Sequence, residues 1–395
     1  MRPCPCCEAE VTEPLLSTRP VPVQTAVLVK SLADSLAVPR RPIVLQHCPN
    51  CGFLWNTAFE AGLVRYDSDY EGTQAHSPVF RSYLSGLARQ WLGALPQTPM
   101  RVVEAGCGQG EFLAELSHLS AAELQGFDPA YRGEGQARVT IEACELPDGD
   151  ASADMVVNRM TLEHVFPPLP LLAAQASWLS RMGILFTQVP NAAHMLAAKL
   201  PGDLVYEHCN YFTARSLWHL LVRAGLAPQG LSIGYGDQHL TMSSAREGQA
   251  MAIPGRIPAG IVEAFASEMT QFGPRWGSLL AAERRAGRTP WIWGSGSRAV
   301  AFAAALPDPS VVAGAIDINP VRAGTYVPGS TWCTQPPETL KAGRSLTVVA
   351  MNPIYRTEIA DRLAKLNCDA KLLAVGETSL AAAAPLGPFI GPGEI

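Results

Sequence analysis

Residues 102–113, Val-Val-Glu-Ala-Gly-Cys-Gly-Gln-Gly-Glu-Phe-Leu, restrict the fold more than any other stretch of this 395-residue chain. Three glycines, Gly106, Gly108 and Gly110, separate a short apolar run from an amphipathic one. Glycine reaches backbone conformations that a Cβ forbids and lets the chain approach a ligand closely, so this spacing predicts a tight turn between a strand and a helix. A strand feeding such a turn calls for parallel neighbours and crossover helices. Short apolar runs recur at 101–105, 124–127, 154–157 and 183–189, separated by helix-length stretches. The expected class is α/β.

The chain is too long for one average domain, and with 48% hydrophobic and 16% charged residues it has enough apolar surface for several cores. Three segments are expected, 1–72, 73–246 and 247–395. The first is proline-rich, with paired cysteines at both ends. The second opens on a helix capped by Ser77, with Pro78 at its first position and Phe80, Tyr83, Leu84, Leu87, Trp91 and Leu92 on one face. The polar run 243–249 is expected as the linker. The third segment starts with a helix from about 259 and continues with a second alternating set at 291–293, 312–317 and 346–350; a low-complexity stretch follows at 381–388. The longest apolar runs are too short for a membrane span, the first residues lack the apolar core of a secretory signal, and a net charge of −5 argues against a nucleic-acid partner. A cytoplasmic location is expected, because the clustered cysteines suggest metal binding in a reducing compartment rather than disulfides.

Cys4 and Cys7, and Cys48 and Cys51, form two Cys-x-x-Cys pairs about forty residues apart. Two thiolates at this spacing can face one ion, and two such turns complete a tetrahedral structural zinc site. Cys6 and His47 adjoin these ligands as substitutes. Downstream of the glycine turn, Asp128 ends the next strand, where its carboxylate can accept ribose hydroxyls, and Glu142-Ala143 lies further on.

In order, the Glu104–Gly106–Gly108–Gly110 loop, Asp128, the run from Glu142 to Leu-Pro, and Leu-Glu-His-Val at 162–165 resemble the class I S-adenosylmethionine (SAM) dependent methyltransferases. The resemblance implies that Glu104 and the glycines lie under the methionine part of SAM. Asp128 would then hold the ribose, and Glu142 with Ala143 would lie at the adenine. Glu142 stands where that family usually has aspartate.

Gly294-x-Gly296-x-x-Ala299, with Asp317 about twenty residues on, reads alone as a dinucleotide fingerprint; a nicotinamide enzyme and a Rossmann unit used only for packing are its competing readings. Taken together, the cysteine pairs, the glycine loop and the third segment are similar to the three-domain C-methyltransferases of deoxysugar biosynthesis. The likeness implies a zinc-binding N-terminal segment, a SAM-binding core and a second Rossmann-like domain that walls a cleft for a small, nucleotide-linked keto sugar. It carries a Glu-His pair onto Glu207 and His208, with His208 as the base that removes a proton next to a carbonyl and Glu207 orienting it. His164 and Tyr70 match substrate-facing positions. Val205 stands where the family has tyrosine, and Tyr206 follows one residue later as a candidate donor to the enolate oxygen. Arg298 and Arg322 are candidate phosphate contacts. The same scaffold with oxygen or nitrogen as acceptor is the alternative.

Overall fold

A computed structural model describes residues 2–67, 69–133, 138–340 and 344–376; the low-complexity stretch 381–388 lies outside them. In the first segment, β1 (Pro14–Ser17), β2 (Val44–His47) and β3 (Leu54–Asn56) form an antiparallel sheet. Its fourth strand comes from much further along the chain.

Helix α1 (Pro78–Gly93) starts as its sequence dictates: Ser77 caps it by accepting the Phe80 N–H, and Pro78 occupies the first turn. Then follow β4 (Arg101–Ala105), α2 (Glu111–Leu119), β5 (Glu123–Phe127), β6 (Val139–Glu142), β7 (Ala153–Arg159), α3 (Leu169–Trp178) and β8 (Leu179–Pro190). The two-residue β9 (Asn210–Tyr211) leaves this layer and pairs with β3, completing the small sheet in the order β9-β3-β2-β1. Helix α4 (Ala214–Arg223), β10 (Ala227–Gly234) and β11 (His239–Ala245) close the central unit.

The central sheet has the order β6-β5-β4-β7-β8-β11-β10, with β11 antiparallel to both of its neighbours. Glu104 of β4 pairs with Gly126 and with Val157, so the glycine turn leaves the middle of the sheet at its carboxyl edge. One face packs Val102, Met155 and Phe186 under α1 and α2; Trp91 stacks on Phe186 at 4.8 Å between ring centres. The other face packs Val103, Phe127 and Val156 with Trp178, and this core runs on into Phe53 and Trp55 of the first segment. The expected linker begins too early. Residues 243–245 are buried in β11, where ladders on both sides satisfy the backbone.

Helix α5 (Ile261–Arg285) leads to the third layer: β12 (Thr289–Trp293), α6 (Ser297–Ala305), β13 (Ala315–Ile316), β14 (Thr334–Gln335), β15 (Ser345–Ala350), α7 (Arg356–Lys365) and β16 (Asp369–Ala374). Its five strands are all parallel, in the order β14-β13-β12-β15-β16. The order reverses beside β12, so a crevice opens at the carboxyl end of that strand. No helix among the described residues is long and apolar enough to cross a membrane.

Candidate active site

A cavity of about 1050 Å³ receives the carboxyl ends of parallel strands from both the central sheet and the third layer. Gly106 and Gly108 line it from the central sheet, and Gly294, Gly296 and Arg298 from the third layer. The two turns are pinned alike. Gly108 donates its N–H to Asp128 Oδ2 (2.8 Å), and Ser295 donates its N–H to Asp317 Oδ2 (2.8 Å). Asp128 Oδ1 takes the Ala130 N–H (2.8 Å), so each of its oxygens is fixed by one donor and keeps a lone pair for a ligand.

Gly106 has φ +68, and a Cβ there would stand 2.1 Å from Thr161 Oγ1. Gly108 has φ +58 with nothing closer than 3.8 Å to that position. Gly110 caps α2 in a left-handed conformation and lies outside the cavity lining. Gly106→Ala is therefore expected to destabilise the fold by about 2–4 kcal/mol, since both the backbone and the short Thr161 side chain resist. Gly108→Ala should cost distinctly less. Thermal unfolding of the two variants distinguishes these outcomes.

Glu104 is 1% exposed, lines the cavity, and its Oε2 is buried without a partner among the described residues. Burial first, then the nearby Glu111 and Asp128 charges, push its carboxyl up to about 8, against an opposing pull from Arg159. An orphaned carboxyl beside a glycine cradle fits the ammonium of an amino-acid moiety, as the methionine part of SAM requires. Glu142 and Ala143 are exposed and outside the lining, where Glu145 and Leu146 stand instead. Side chains alternate along β6: Ile141 approaches Gly110, so Glu142 turns the other way and accepts from Gln125 Nε2 at 3.0 Å.

Facing the glycine turn, His164 and His208 pack edge to face, 4.7 Å between ring centres. His164 Nδ1 lies 2.8 Å from the Tyr66 hydroxyl and 3.2 Å from the Glu207 carbonyl oxygen. Burial and the neighbouring His208 hold His164 well below the usual imidazole range; burial and Arg298 bring His208 down to about 4. Both rings are thus neutral at pH 7. Tyr70 lines the cavity beside Tyr66, 5.1 Å between ring centres, and burial raises its hydroxyl well above the usual value, so it stays a donor.

Glu207 reaches the cavity, but its carboxylate is held by the Thr25 N–H (2.7 Å) and the Thr25 hydroxyl, and no hydrogen bond joins it to His208 among the described residues. The side chain thus anchors the loop to the first segment, while the backbone carbonyl orients His164. Tyr206 is fully buried away from the cavity; its hydroxyl donates to Ala58 O (2.9 Å) and accepts the Glu60 N–H (3.0 Å). Its one-residue offset from the family's tyrosine turns it to the opposite side of the chain. Arg322 lines the cavity, yet it donates to the Ser295 and Glu71 carbonyls. Arg298 pairs with Asp203 (2.5 and 3.1 Å) and donates to Gln238 (2.8 Å). Tyr66, Glu163 and Thr161 escape a reading of the sequence. Only Glu163, adjacent to His164, carries a local signal.

The four thiols of Cys4, Cys7, Cys48 and Cys51 lie within 4.8 Å of one another, with Cys4–Cys51 and Cys7–Cys48 both at 3.6 Å. Tetrahedral zinc with Zn–S bonds of about 2.3 Å needs sulfurs roughly 3.8 Å apart, so the quartet could bind zinc. Hydrogen bonds from Cys48 and Cys51 pull the Cys4 thiol below its usual range, and the same contacts with Cys4 raise Cys48 and Cys51. Cys6 and His47 are not part of the quartet.

Residues 76–229 match a family model described as methyltransferase domain. A probable SAM-dependent methyltransferase of Mycobacterium tuberculosis, recorded from two strains, is 28% identical over 194 residues, 47% of this chain and 66% of the relative's length. Among solved structures, a possible histamine N-methyltransferase of Thermotoga maritima is 20% identical, with TM-score 0.36 over 43% of this chain and 91% of that one. The 1,6-didemethyltoxoflavin N1-methyltransferase of Burkholderia thailandensis, bound to S-adenosylhomocysteine, is also 20% identical, with TM-score 0.35 over 42% of this chain and 78% of that one. Residues 76–229 are therefore similar to SAM-dependent methyltransferase domains.

Proposed function

We propose that the protein transfers the methyl group of SAM to a carbon next to the carbonyl of a small, nucleotide-linked keto-deoxysugar. One observation carries this reading: the glycine turn with Glu104 and Asp128, the His164–His208 pair and the second glycine turn with Arg298 all line the same cavity. At about 1050 Å³ it exceeds what one drug-sized ligand usually fills, which suits a cofactor and a second molecule.

SAM supplies a methyl group already activated on a cationic sulfur. The protein's tasks are alignment and deprotonation. Glu104 and the turn glycines would hold the methionine end and Asp128 the ribose. His208, neutral at pH 7, would accept the proton from the substrate carbon, with the His164 ring packed against it to fix its orientation. The Tyr70 hydroxyl would stabilise the enolate oxygen. Gly294, Gly296 and the start of α6 would receive the nucleotide's phosphates, with Arg298 as counter-charge. The burial of Tyr206 removes one enolate donor, and this favours oxygen or nitrogen as acceptor in a second reading.

Mass spectrometry with labelled SAM and a panel of nucleotide-linked keto sugars tests the proposal. Carbon methylation also requires deuterium exchange at the acceptor carbon in the absence of SAM. A methylated product without that exchange supports the second reading. Stabilisation by NAD and not by S-adenosylhomocysteine would overturn both.

Glu104 yields a prediction about protons. An ammonium pairs with its carboxylate form, yet the free protein keeps it protonated up to about pH 8. Binding of S-adenosylhomocysteine at pH 7 should release close to one proton, and affinity should rise between pH 5 and 8. The stability of the free protein should run the other way. Because the folded pKa is raised, this contribution is complete below the unfolded pKa and is lost as pH climbs through 8. Calorimetry in buffers of different ionisation enthalpy measures the proton count, and Glu104→Gln should abolish the release.

A further inference from the structure

Glu163, His164 and His208 each offer one ligand atom, and the three atoms lie within 4.8 Å of one another in the wall of the active-site cavity. Glu163 is 1% exposed, and its Oε2 is buried with no partner among the described residues. A carboxylate oxygen withdrawn from water without a donor is unfavourable unless something positive or protic meets it. His164 shows the arrangement that metal-ligating imidazoles adopt. In the tautomer with the proton on Nδ1, that proton lies between the Tyr66 hydroxyl at 2.8 Å and the Glu207 carbonyl at 3.2 Å, and Nε2 keeps its lone pair for an ion. The Tyr66 hydroxyl at 2.8 Å fixes the ring further. His208 has no side-chain hydrogen bond among the described residues, so its ring nitrogens are uncommitted.

We propose that Glu163, His164 and His208 form a binding site for one divalent transition-metal ion. Two imidazoles and one carboxylate suit borderline cations such as Mn²⁺, Fe²⁺, Co²⁺ or Zn²⁺, and three protein ligands leave coordination positions open. Those positions face the cavity, where a carbonyl or hydroxyl oxygen of the acceptor can complete the shell. The cysteine quartet is a chemically different site, all sulfur and closed. The inference rests on the methyltransferase reading for the acceptor but adds to it. In the loaded site His208's lone pair belongs to the ion, so metal occupancy and proton acceptance by His208 are alternative states of the same ring.

The test uses the full chain, stripped with chelator and reloaded with Co²⁺. Metal analysis should give one ion more per chain than the quartet accounts for. This ion should lack the thiolate charge-transfer absorption of a sulfur-bound one. Glu163→Gln, His164→Ala and His208→Ala should each weaken binding of that ion at least tenfold and leave the sulfur-bound one in place. Equal metal content in wild type and all three variants would overturn the proposal, as would a wild type that binds nothing outside the quartet. S-adenosylhomocysteine titrations on the same preparations report separately on the cofactor site. Lost metal with retained cofactor binding, or the reverse, shows which reading has failed. A variant that does not fold is replaced by Glu163→Asp, which keeps the carboxylate but shortens its reach and should bind with intermediate affinity.

Discussion

His208→Ala is expected to lower turnover by roughly two to four orders of magnitude, the range typical of losing a general base, while S-adenosylhomocysteine affinity changes less than about twofold. The separation follows from geometry. His208 faces His164 across the cavity wall, whereas cofactor contacts are expected from Glu104, Gly106, Gly108 and Asp128, on other elements. Burial and the Arg298 charge keep the ring neutral to about pH 4, so its lone pair is available throughout the neutral range. A low pKa also makes it a weak base, so the substrate must be acidified by polarising its carbonyl. Tyr70→Phe should therefore lower turnover as well, by a smaller factor. Single-turnover kinetics with calorimetry of S-adenosylhomocysteine decide the matter. Turnover within threefold of wild type for His208→Ala would remove this ring from the chemistry, whether as base or as ligand.

The parts of this molecule legible in its sequence are those fixed by local physics. Ser77-Pro78 caps and opens α1, and Gly106 and Gly110 take left-handed conformations where a Cβ would collide. Alternation of apolar runs with helical stretches yields the all-parallel sheet of the third layer and the parallel strands of the central one, whose β10 and β11 depart from it by running antiparallel to a neighbour. What stayed hidden depends on partners distant in the chain. Glu207 is fixed by Thr25, 182 residues away, so its side chain serves the first segment and only its carbonyl serves His164. Tyr66 meets His164 across 98 residues. Glu142 and Tyr206 show a second limit. A motif places a residue along the chain, but the local backbone, a strand at Glu142 and a turn at Tyr206, decides which way its side chain points. Strand β11 shows a third: Ser243, Ser244 and Ala245 read as the start of a polar linker, yet all three are buried at its end.

We propose that the cysteine quartet holds zinc; Cys51→Ser should then lose the ion, and the damage should reach the active-site loop. Serine offers no thiolate, and structural zinc in small fingers binds with about 10–16 kcal/mol of apparent free energy, comparable to the stability of a whole domain. The quartet does not stand apart from the rest. Cys4, Cys48 and Cys51 belong to the same core as Phe212, Leu217 and Trp178. The Thr213 hydroxyl donates to Cys51 O at 2.9 Å, and Arg215 Nε donates to Asn50 O at 3.1 Å. Asn210, two residues beyond His208, pairs with Trp55 in the sheet that the second cysteine pair leads into. Releasing the turn at 48–51 therefore loosens the strand that holds His208 in place. The expected results are absence of zinc by elemental analysis, a large fall in soluble yield, and turnover in the remaining soluble fraction reduced more than S-adenosylhomocysteine affinity. Cys6→Ser is the control, since Cys6 is equally buried but outside the quartet and should keep the ion. Full zinc content in Cys51→Ser would strike that sulfur from the ligand set, and loss of the ion in Cys6→Ser would put Cys6 in its place.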